Sequence, residues 1–158
     1  MLALEPIEPP VDGRQSETAL MIQRGVGRFL KANGMVMVTE LPLASGRRAD
    51  IVAIDGTGEI WIVEIKSSVE DFRSDLKWPE YKMHCDKLFF ASHAGVPADL
   101  FPQSSGLILA DAYGAEMIRD GLEHRLAGSR RKAVLIRFGH AAASRLHQLH
   151  DPDAHRAS

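Results

Sequence analysis

The sequence predicts one α/β domain, in which helices flank a mixed central sheet. Three observations predict it: short apolar runs typical of strands, a helical pattern near the start, and an amphipathic pattern near the end. Together they give the order α-β-β-β-α-β, followed by further strand and a closing helix. A chain of 158 residues suits a single core. We expect a flexible N-terminal arm over residues 1–14, the domain over 15–150 and a frayed tail over 151–158.

The first helix and the first strand follow from spacing and capping residues. Apolar residues recur at helical spacing from Glu17, after Ser16 as a candidate N-cap, and stop at Asn33-Gly34. Residues 35–39 are apolar and partly β-branched, which predicts a strand that Pro42 limits.

A hairpin follows the first strand. Residues 49–54 and 59–66 flank a glycine-containing turn, which predicts two antiparallel neighbours. A three-residue loop over 56–58 sets Asp50 opposite Glu64, so that the two carboxylates share one face. A two-residue loop would put them on opposite faces. The glycines favour the three-residue loop, since it needs a residue with positive φ.

The second half of the chain alternates between helix and strand. Ser68 and Asp71 resemble a capping box and predict a helix over residues 69–77. Because Pro79 interrupts that helix, we predict a second short helix from Pro79 to about Cys85. The remaining elements are strands over residues 87–91, 107–110 and 115–119 and an amphipathic helix over residues 130–149.

Composition excludes several classes of protein. The single cysteine, Cys85, excludes an internal disulfide and a CxxC zinc site, so a metal would need oxygen or imidazole ligands. No apolar run is long enough for a bilayer, and the first residues lack a secretory pattern, so we expect a cytoplasmic protein. A net charge of −2 argues against coating of nucleic acid by charge alone.

The hairpin carries the groups suited to chemistry. Glu64 and Lys66 project from the same face of their strand, which Asp50 shares. Two carboxylates suit Mg²⁺ or Mn²⁺, and the Ile65 carbonyl is a further candidate ligand. Such an ion polarises a phosphodiester and lowers the pKa of a bound water, while a lysine orients that water or stabilises negative charge. An exposed cross-strand salt bridge is the alternative.

The segments Arg48-Ala49-Asp50-Ile51-Val52 and Ile62-Val63-Glu64-Ile65-Lys66 resemble the PD-(D/E)xK nuclease core, with Ala49 where the motif has Pro. Residues 71–81 and 85–90 are similar to the MmcB-like family of bacterial DNA-repair endonucleases. The resemblance implies a restriction-endonuclease-like core. It also implies that Asp50 and Glu64 hold the metal and that Lys66 is catalytic.

Two further acids are candidates for a third metal ligand. Glu17 matches the acidic residue that many such nucleases place on the first helix; the alternative is a favourable charge in a helix's first turn. Glu40 competes with it, but we expect Glu40 to face solvent because it lies at a strand end.

Basic and aromatic residues are candidates for contact with nucleic acid. Arg47 and Arg48 precede Asp50 on a glycine-containing loop, where two guanidinium groups could hold phosphates. Residues 121–150 carry six basic residues against one acid, which makes this segment a candidate for a phosphate-binding face. Solvated surface is the alternative in both places. The other candidates are Lys77, Tyr81, Lys82, Arg130, Arg131, Lys132 and Arg137.

The sequence therefore predicts a metal-dependent DNA endonuclease that acts in DNA repair. The alternative is a catalytically inactive nuclease-fold module that binds nucleic acid or a repair partner. A small protein of near-zero net charge offers few phosphate contacts, which favours a homodimer or a repair-protein partner.

Overall fold

The computed structural model describes residues 16–154 of the chain and contains a six-stranded sheet whose strands lie in their order along the chain. The strands are β1 (Val36–Pro42), β2 (Arg48–Ile54), β3 (Ile60–Ile65), β4 (Lys87–Ser92), β5 (Gly106–Ala110) and β6 (Ala115–Arg119). The helices are α1 (Glu17–Ala32), α2 (Val69–Ser74) and α3 (Gly128–His150), with 3-10 helices at Trp78–His84 and Ala98–Leu100.

The sheet is mixed, as the sequence predicts. β1, β2 and β3 pair antiparallel, β3, β4 and β5 run parallel, and β6 returns antiparallel to β5. The predicted α-β-β-β-α-β order is confirmed. The expected arm over residues 1–14 lies outside the described residues, as do the last four residues of the expected tail. Within the described part of the chain, each helix is too short or too polar to cross a membrane.

Alternation along the strands gives the sheet two apolar faces, each covered by one long helix. On one face, Ile51 and Val63 belong to the core that packs against α1. On the other face, Val52 and Ile62 belong to the core that includes α3 and the first 3-10 helix. The site described below continues the second face towards the end of β3.

The hairpin between β2 and β3 has the predicted register. The pair farthest from the loop is Ile51 with Val63. At the loop itself, the Asp55 N–H donates to the Glu59 carbonyl at 3.2 Å. Gly58 has a φ of 88°, a conformation that glycine adopts without strain. One further step of this register sets Asp50 opposite Glu64 on the face that α3 covers.

Some element boundaries differ from the predictions. β1 runs to Pro42, which an edge strand tolerates because one side of its backbone has no partner strand. α2 ends at Ser74 rather than at residue 77. The Asp71 carboxylate accepts a hydrogen bond from the Ser67 N–H, one residue earlier than in a capping box. α3 begins at Gly128, two residues before the predicted start.

A buried ion pair joins α3 to the sheet. Asp86 is 1% exposed, and Arg131 donates to its two carboxylate oxygens at 2.6 Å each. The N–H groups of Ile60 and Leu126 donate to the same carboxylate. Burial opposes ionisation of Asp86, but these donors outweigh it and lower the pKa of Asp86 to about 2. Arg131 is therefore part of the fold, which differs from its expected role as a phosphate contact.

We expect Arg131→Gln to lower the free energy of unfolding by about 3–5 kcal/mol at pH 7, because Asp86 loses its counter-charge while it stays buried. The folded pKa of Asp86 lies below the unfolded value. The pair therefore stabilises the protein above about pH 4, and this contribution is lost as the pH falls towards 2. Urea unfolding at pH 7 and pH 3 measures both effects.

The matched control is Lys132→Gln, which removes an exposed charge from the next residue of α3. It should change stability by less than about 0.5 kcal/mol. Equal stability of the two variants at pH 7 would contradict the structural role of Arg131.

Candidate active site

A cavity of about 360 Å³ opens where β2 begins and β3 ends. Asp50, Glu64 and Lys66, the three residues expected to carry chemistry, all line it. The start of α1 contributes Ser16 to the same cavity, and the first 3-10 helix contributes Tyr81. The structure thus brings the three polar groups of the hairpin together. The other charged residues in the lining are Glu40, Arg48 and Asp71.

Each carboxylate of the pair is held by the backbone of the neighbouring strand. The Asp50 N–H donates to Glu64 Oε1 at 3.0 Å, and the Ile65 N–H donates to Asp50 Oδ2 at 2.8 Å. These bonds take the place of the backbone ladder, whose last pair joins Ile51 and Val63. Both side chains are therefore restrained, and one oxygen of each carboxylate stays outside these bonds.

The negative charges of this pair are poorly balanced. Glu64 is 3% exposed, and burial together with the nearby charge of Asp50 holds the pKa of Glu64 well above its usual range. Burial also raises the pKa of Asp50, although the Ile65 N–H and the positive charge of Lys66 oppose the rise. An excess of negative charge in a buried place favours binding of a cation.

The ammonium group of Lys66 has a carboxylate partner of its own. Lys66 is 5% exposed, and its Nζ donates to Asp75 Oδ2 at 2.8 Å. Burial opposes ionisation of Asp75, but the hydrogen bonds from Lys66 and from the Lys77 N–H outweigh it and lower the pKa of Asp75. Sequence reasoning missed Asp75; the available signal was an acid in the turn that precedes Pro79.

The structure separates the two residues considered as a third acid. Glu17 is exposed in the first turn of α1 and does not line the cavity. Glu40 does line it, and its Oε2 atom is buried, so the expectation that Glu40 faces solvent is wrong. The backbone of Glu40 has a φ of 51°, which costs about 1–3 kcal/mol in a residue other than glycine. The predicted strand ended at residue 39, whereas β1 continues to Pro42 and so carries Glu40 within the sheet.

The donor set fits a divalent cation held by two carboxylates. Asp50 and Glu64 offer the oxygen ligands that Mg²⁺ and Mn²⁺ prefer, and their excess charge favours an ion. Within residues 16–154, no three side chains of Asp, Glu, His or Cys lie close enough to hold one ion. Glu17 therefore does not join the pair as a direct ligand. A third protein ligand would be a backbone oxygen, and Ile65 lines the cavity.

The basic residues beside the motif differ in their availability. Arg48 is exposed and lines the cavity, and Lys77 is exposed at the start of the first 3-10 helix. Arg47 pairs with Glu80 at 2.9 Å. The Lys82 ammonium lies over an indole ring and donates to a serine hydroxyl at 3.3 Å. Arg48 and Lys77 are thus the freer of the expected phosphate contacts.

Tyr81 and the basic residues of α3 are placed differently from expectation. Tyr81 is 6% exposed, and its hydroxyl donates to the Arg48 carbonyl at 3.1 Å, so its ring packs in the core rather than on a surface open to nucleic acid. Arg137 donates to the Pro42 carbonyl at 3.4 Å. Of the expected contacts on α3, the exposed ones are Arg130 and Lys132.

Comparison with known proteins assigns the family. The family model of the DNA repair protein MmcB-like matches residues 7–153. The chain belongs to the MmcB-like family. A solved protein of unknown function from Silicibacter pomeroyi is 43% identical to this MmcB-like chain, with a TM-score of 0.85. That similarity covers 87% of this chain and 94% of the other. None of the curated proteins compared with the chain matches it.

We expect Glu64→Gln to raise the melting temperature of the metal-free protein. The amide removes the charge beside Asp50 but keeps an oxygen that accepts from the Asp50 N–H. Because the folded pKa of Glu64 is raised, its ionisation destabilises the wild type progressively as the pH rises above about 4.3. The gain should therefore be larger at pH 8 than at pH 5. A relief of ~1 kcal/mol corresponds to about 2–4 °C by calorimetry.

Glu123→Gln serves as the control, since Glu123 is exposed in the loop before α3. It should leave the melting temperature nearly unchanged at both pH values. A lower melting temperature of Glu64→Gln at pH 8 would show that the charge of Glu64 is well balanced in the fold.

Proposed function

We propose that this MmcB-like protein is a metal-dependent DNA endonuclease of the PD-(D/E)xK superfamily. The observation that carries the proposal is that Asp50, Glu64 and Lys66 line one cavity, with the two carboxylates fixed by backbone N–H groups. Two restrained carboxylates with a neighbouring ammonium are the groups that metal-assisted hydrolysis of a phosphodiester needs. Membership of a DNA repair family supports DNA as the substrate.

Asp50, Glu64 and the Ile65 carbonyl would hold Mg²⁺ or Mn²⁺. Bound there, the ion would polarise the phosphodiester and lower the pKa of a bound water. The protein's own contribution is a pair of ligands whose side chains are already fixed before the ion arrives.

Lys66 places its positive charge close enough to the carboxylate pair to oppose the rise in their pKa values. An ammonium in that position can orient the attacking water or stabilise the charge that develops on the phosphoryl oxygens. Asp75 holds the ammonium at 2.8 Å and so acts as a positioning residue.

Few of the basic residues expected to bind DNA are exposed. Arg48 lines the cavity, Lys77 is exposed just before the first 3-10 helix, and Arg130 and Lys132 are exposed on α3. Binding through so few phosphate contacts is weak and sensitive to salt. This supports the expectation of a homodimer or of a repair-protein partner.

We expect purified protein with Mn²⁺ to cleave at least one of branched, nicked or single-stranded DNA, and Asp50→Ala to abolish cleavage. Lys66→Met should reduce the single-turnover rate by about 10²–10⁴-fold, because it removes electrostatic or proton-transfer help. The matched control is Lys87→Met. It removes a lysine that pairs with Asp120 at the opposite end of the sheet, and it should retain the wild-type rate.

Circular dichroism shows whether Lys66→Met is folded, and Mn²⁺ titration shows whether it still binds the ion. A folded variant that binds Mn²⁺ but cleaves slowly has a catalytic defect. Full cleavage by folded Lys66→Met would contradict a catalytic role for the lysine. Binding of DNA and Mn²⁺ by the wild type without cleavage of any substrate would support the inactive nuclease-fold module instead.

For the phosphate contacts, we expect Arg48→Gln to weaken DNA binding and to lower the slope of log affinity against log salt by about 0.9, as one counterion fewer is released. Fluorescence anisotropy in EDTA measures both quantities without cleavage. Lys31→Gln, which removes an exposed lysine from the last turn of α1, is the control and should keep the wild-type affinity and salt slope. An unchanged salt slope for Arg48→Gln would leave Arg48 as solvated surface.

A further inference from the structure

Glu40 has a backbone conformation that regular strands do not use. Its φ of 51° is the one positive value among the non-glycine residues that the structure describes. β1 pairs with β2 immediately before and immediately after it. The interruption is therefore confined to Glu40, and the register of the flanking pairs sets it opposite Asp50.

The registers of two strand pairs align three acids across the sheet. Glu40 of β1 lies opposite Asp50 of β2, and Asp50 lies opposite Glu64 of β3. All three residues line the same cavity. Each of three neighbouring strands thus contributes one carboxylate at the same level of the sheet.

One carboxylate oxygen of Glu40 has no hydrogen-bond partner among residues 16–154. Its Oε2 atom is buried and makes no hydrogen bond with the part of the chain that the structure describes. Buried polar atoms are rarely left without a partner, so such an atom indicates a bound water or ligand. The adjoining cavity of about 360 Å³ is polar and large enough for several water molecules.

A contact from α3 supports this placement of Glu40. The Arg145 guanidinium donates to the Glu40 carbonyl at 3.4 Å. Burial lowers the pKa of Arg145, while the negative charge of Glu40 opposes that change. Arg145 therefore contacts the irregular backbone and partly balances the charge of the side chain.

We propose that Glu40 is a positioning residue of the cation site, whose Oε2 accepts hydrogen bonds from water bound to the ion that Asp50 and Glu64 hold. The inference rests on the proposed function. Glu40 acts through water because no three such side chains among residues 16–154 lie close enough to share one ion. Groups that hold an ion's ligands in place raise the affinity for that ion.

Titration with Mn²⁺ in the absence of DNA tests this role separately from cleavage. We expect Glu40→Gly to weaken Mn²⁺ binding by about 10-fold, and Glu40→Gln to weaken it less because the amide keeps an oxygen acceptor. Glycine also adopts the positive φ without strain, so Glu40→Gly should fold and melt no lower than the metal-free wild type. Glu123→Gln, at an exposed carboxylate before α3, should bind Mn²⁺ like the wild type.

Water-proton relaxation of bound Mn²⁺ distinguishes contact through water from direct ligation. If Glu40 acts through water, the number of water molecules on the ion stays the same in Glu40→Gly. A gain of one water molecule would show that Glu40 is a direct ligand and would overturn the proposal. A merely structural Glu40 predicts lower stability with unchanged Mn²⁺ affinity, which would overturn it as well.

Glu17→Gln tests the other acid that was considered as a third residue of the cation site. Weaker Mn²⁺ binding by Glu17→Gln together with wild-type binding by Glu40→Gln and Glu40→Gly would transfer the role to Glu17. If the wild type binds no Mn²⁺, the proposed function and this inference both fall. If the wild type binds Mn²⁺ and both Glu40 variants bind it with wild-type affinity, this inference alone is wrong.

Discussion

The register of the β2–β3 hairpin is the constraint on which the site depends. The three-residue loop that ends at Gly58 decides that Asp50 lies opposite Glu64, and a slip of one residue would move one of them to the other face of the sheet. Beyond the last backbone pair, the two carboxylates take over the bonding between the strands, each held by a backbone N–H across the gap. The same bonds that end the hairpin therefore fix the two groups expected to bind an ion.

The basic residues of α3 show how a charged segment can serve the fold rather than a ligand. Arg131 neutralises buried Asp86, while Arg137 and Arg145 donate to backbone carbonyls of β1. Each contact joins α3 to the sheet at a different place. A helix anchored in this way can cover the face on which Asp50 and Glu64 lie. The cost is that fewer of its positive charges remain for phosphates, which leaves Arg130 and Lys132 as its exposed members of that group.

The sequence was sufficient where local rules determine the structure. The capping of α1 by Ser16, the loop of the hairpin and the alternation of β3 predicted the fold and the meeting of Asp50, Glu64 and Lys66. It was insufficient where tertiary contacts decide. The partnership of Asp75 with Lys66 depends on how the chain turns after α2, and the burial of Tyr81 depends on the path of a 3-10 helix. Glu40 was misjudged because it was taken to lie at a strand end, whereas β1 continues past it and pairs with β2 on both sides of it.

The carboxylate that pairs with Lys66 affects how readily the cavity can bind a cation. If its ammonium were bonded to Asp50 or Glu64, a cation would have to displace it before binding. Bonded instead to Asp75, Lys66 opposes the rise in the pKa values of the two carboxylates without cancelling it. The raised pKa values show that the two carboxylates lack a full counter-charge inside the cavity, while the lysine is bonded to a separate carboxylate. Asp75 in this way separates two tasks that compete for the same carboxylates: attracting a cation and holding a positive side chain beside it.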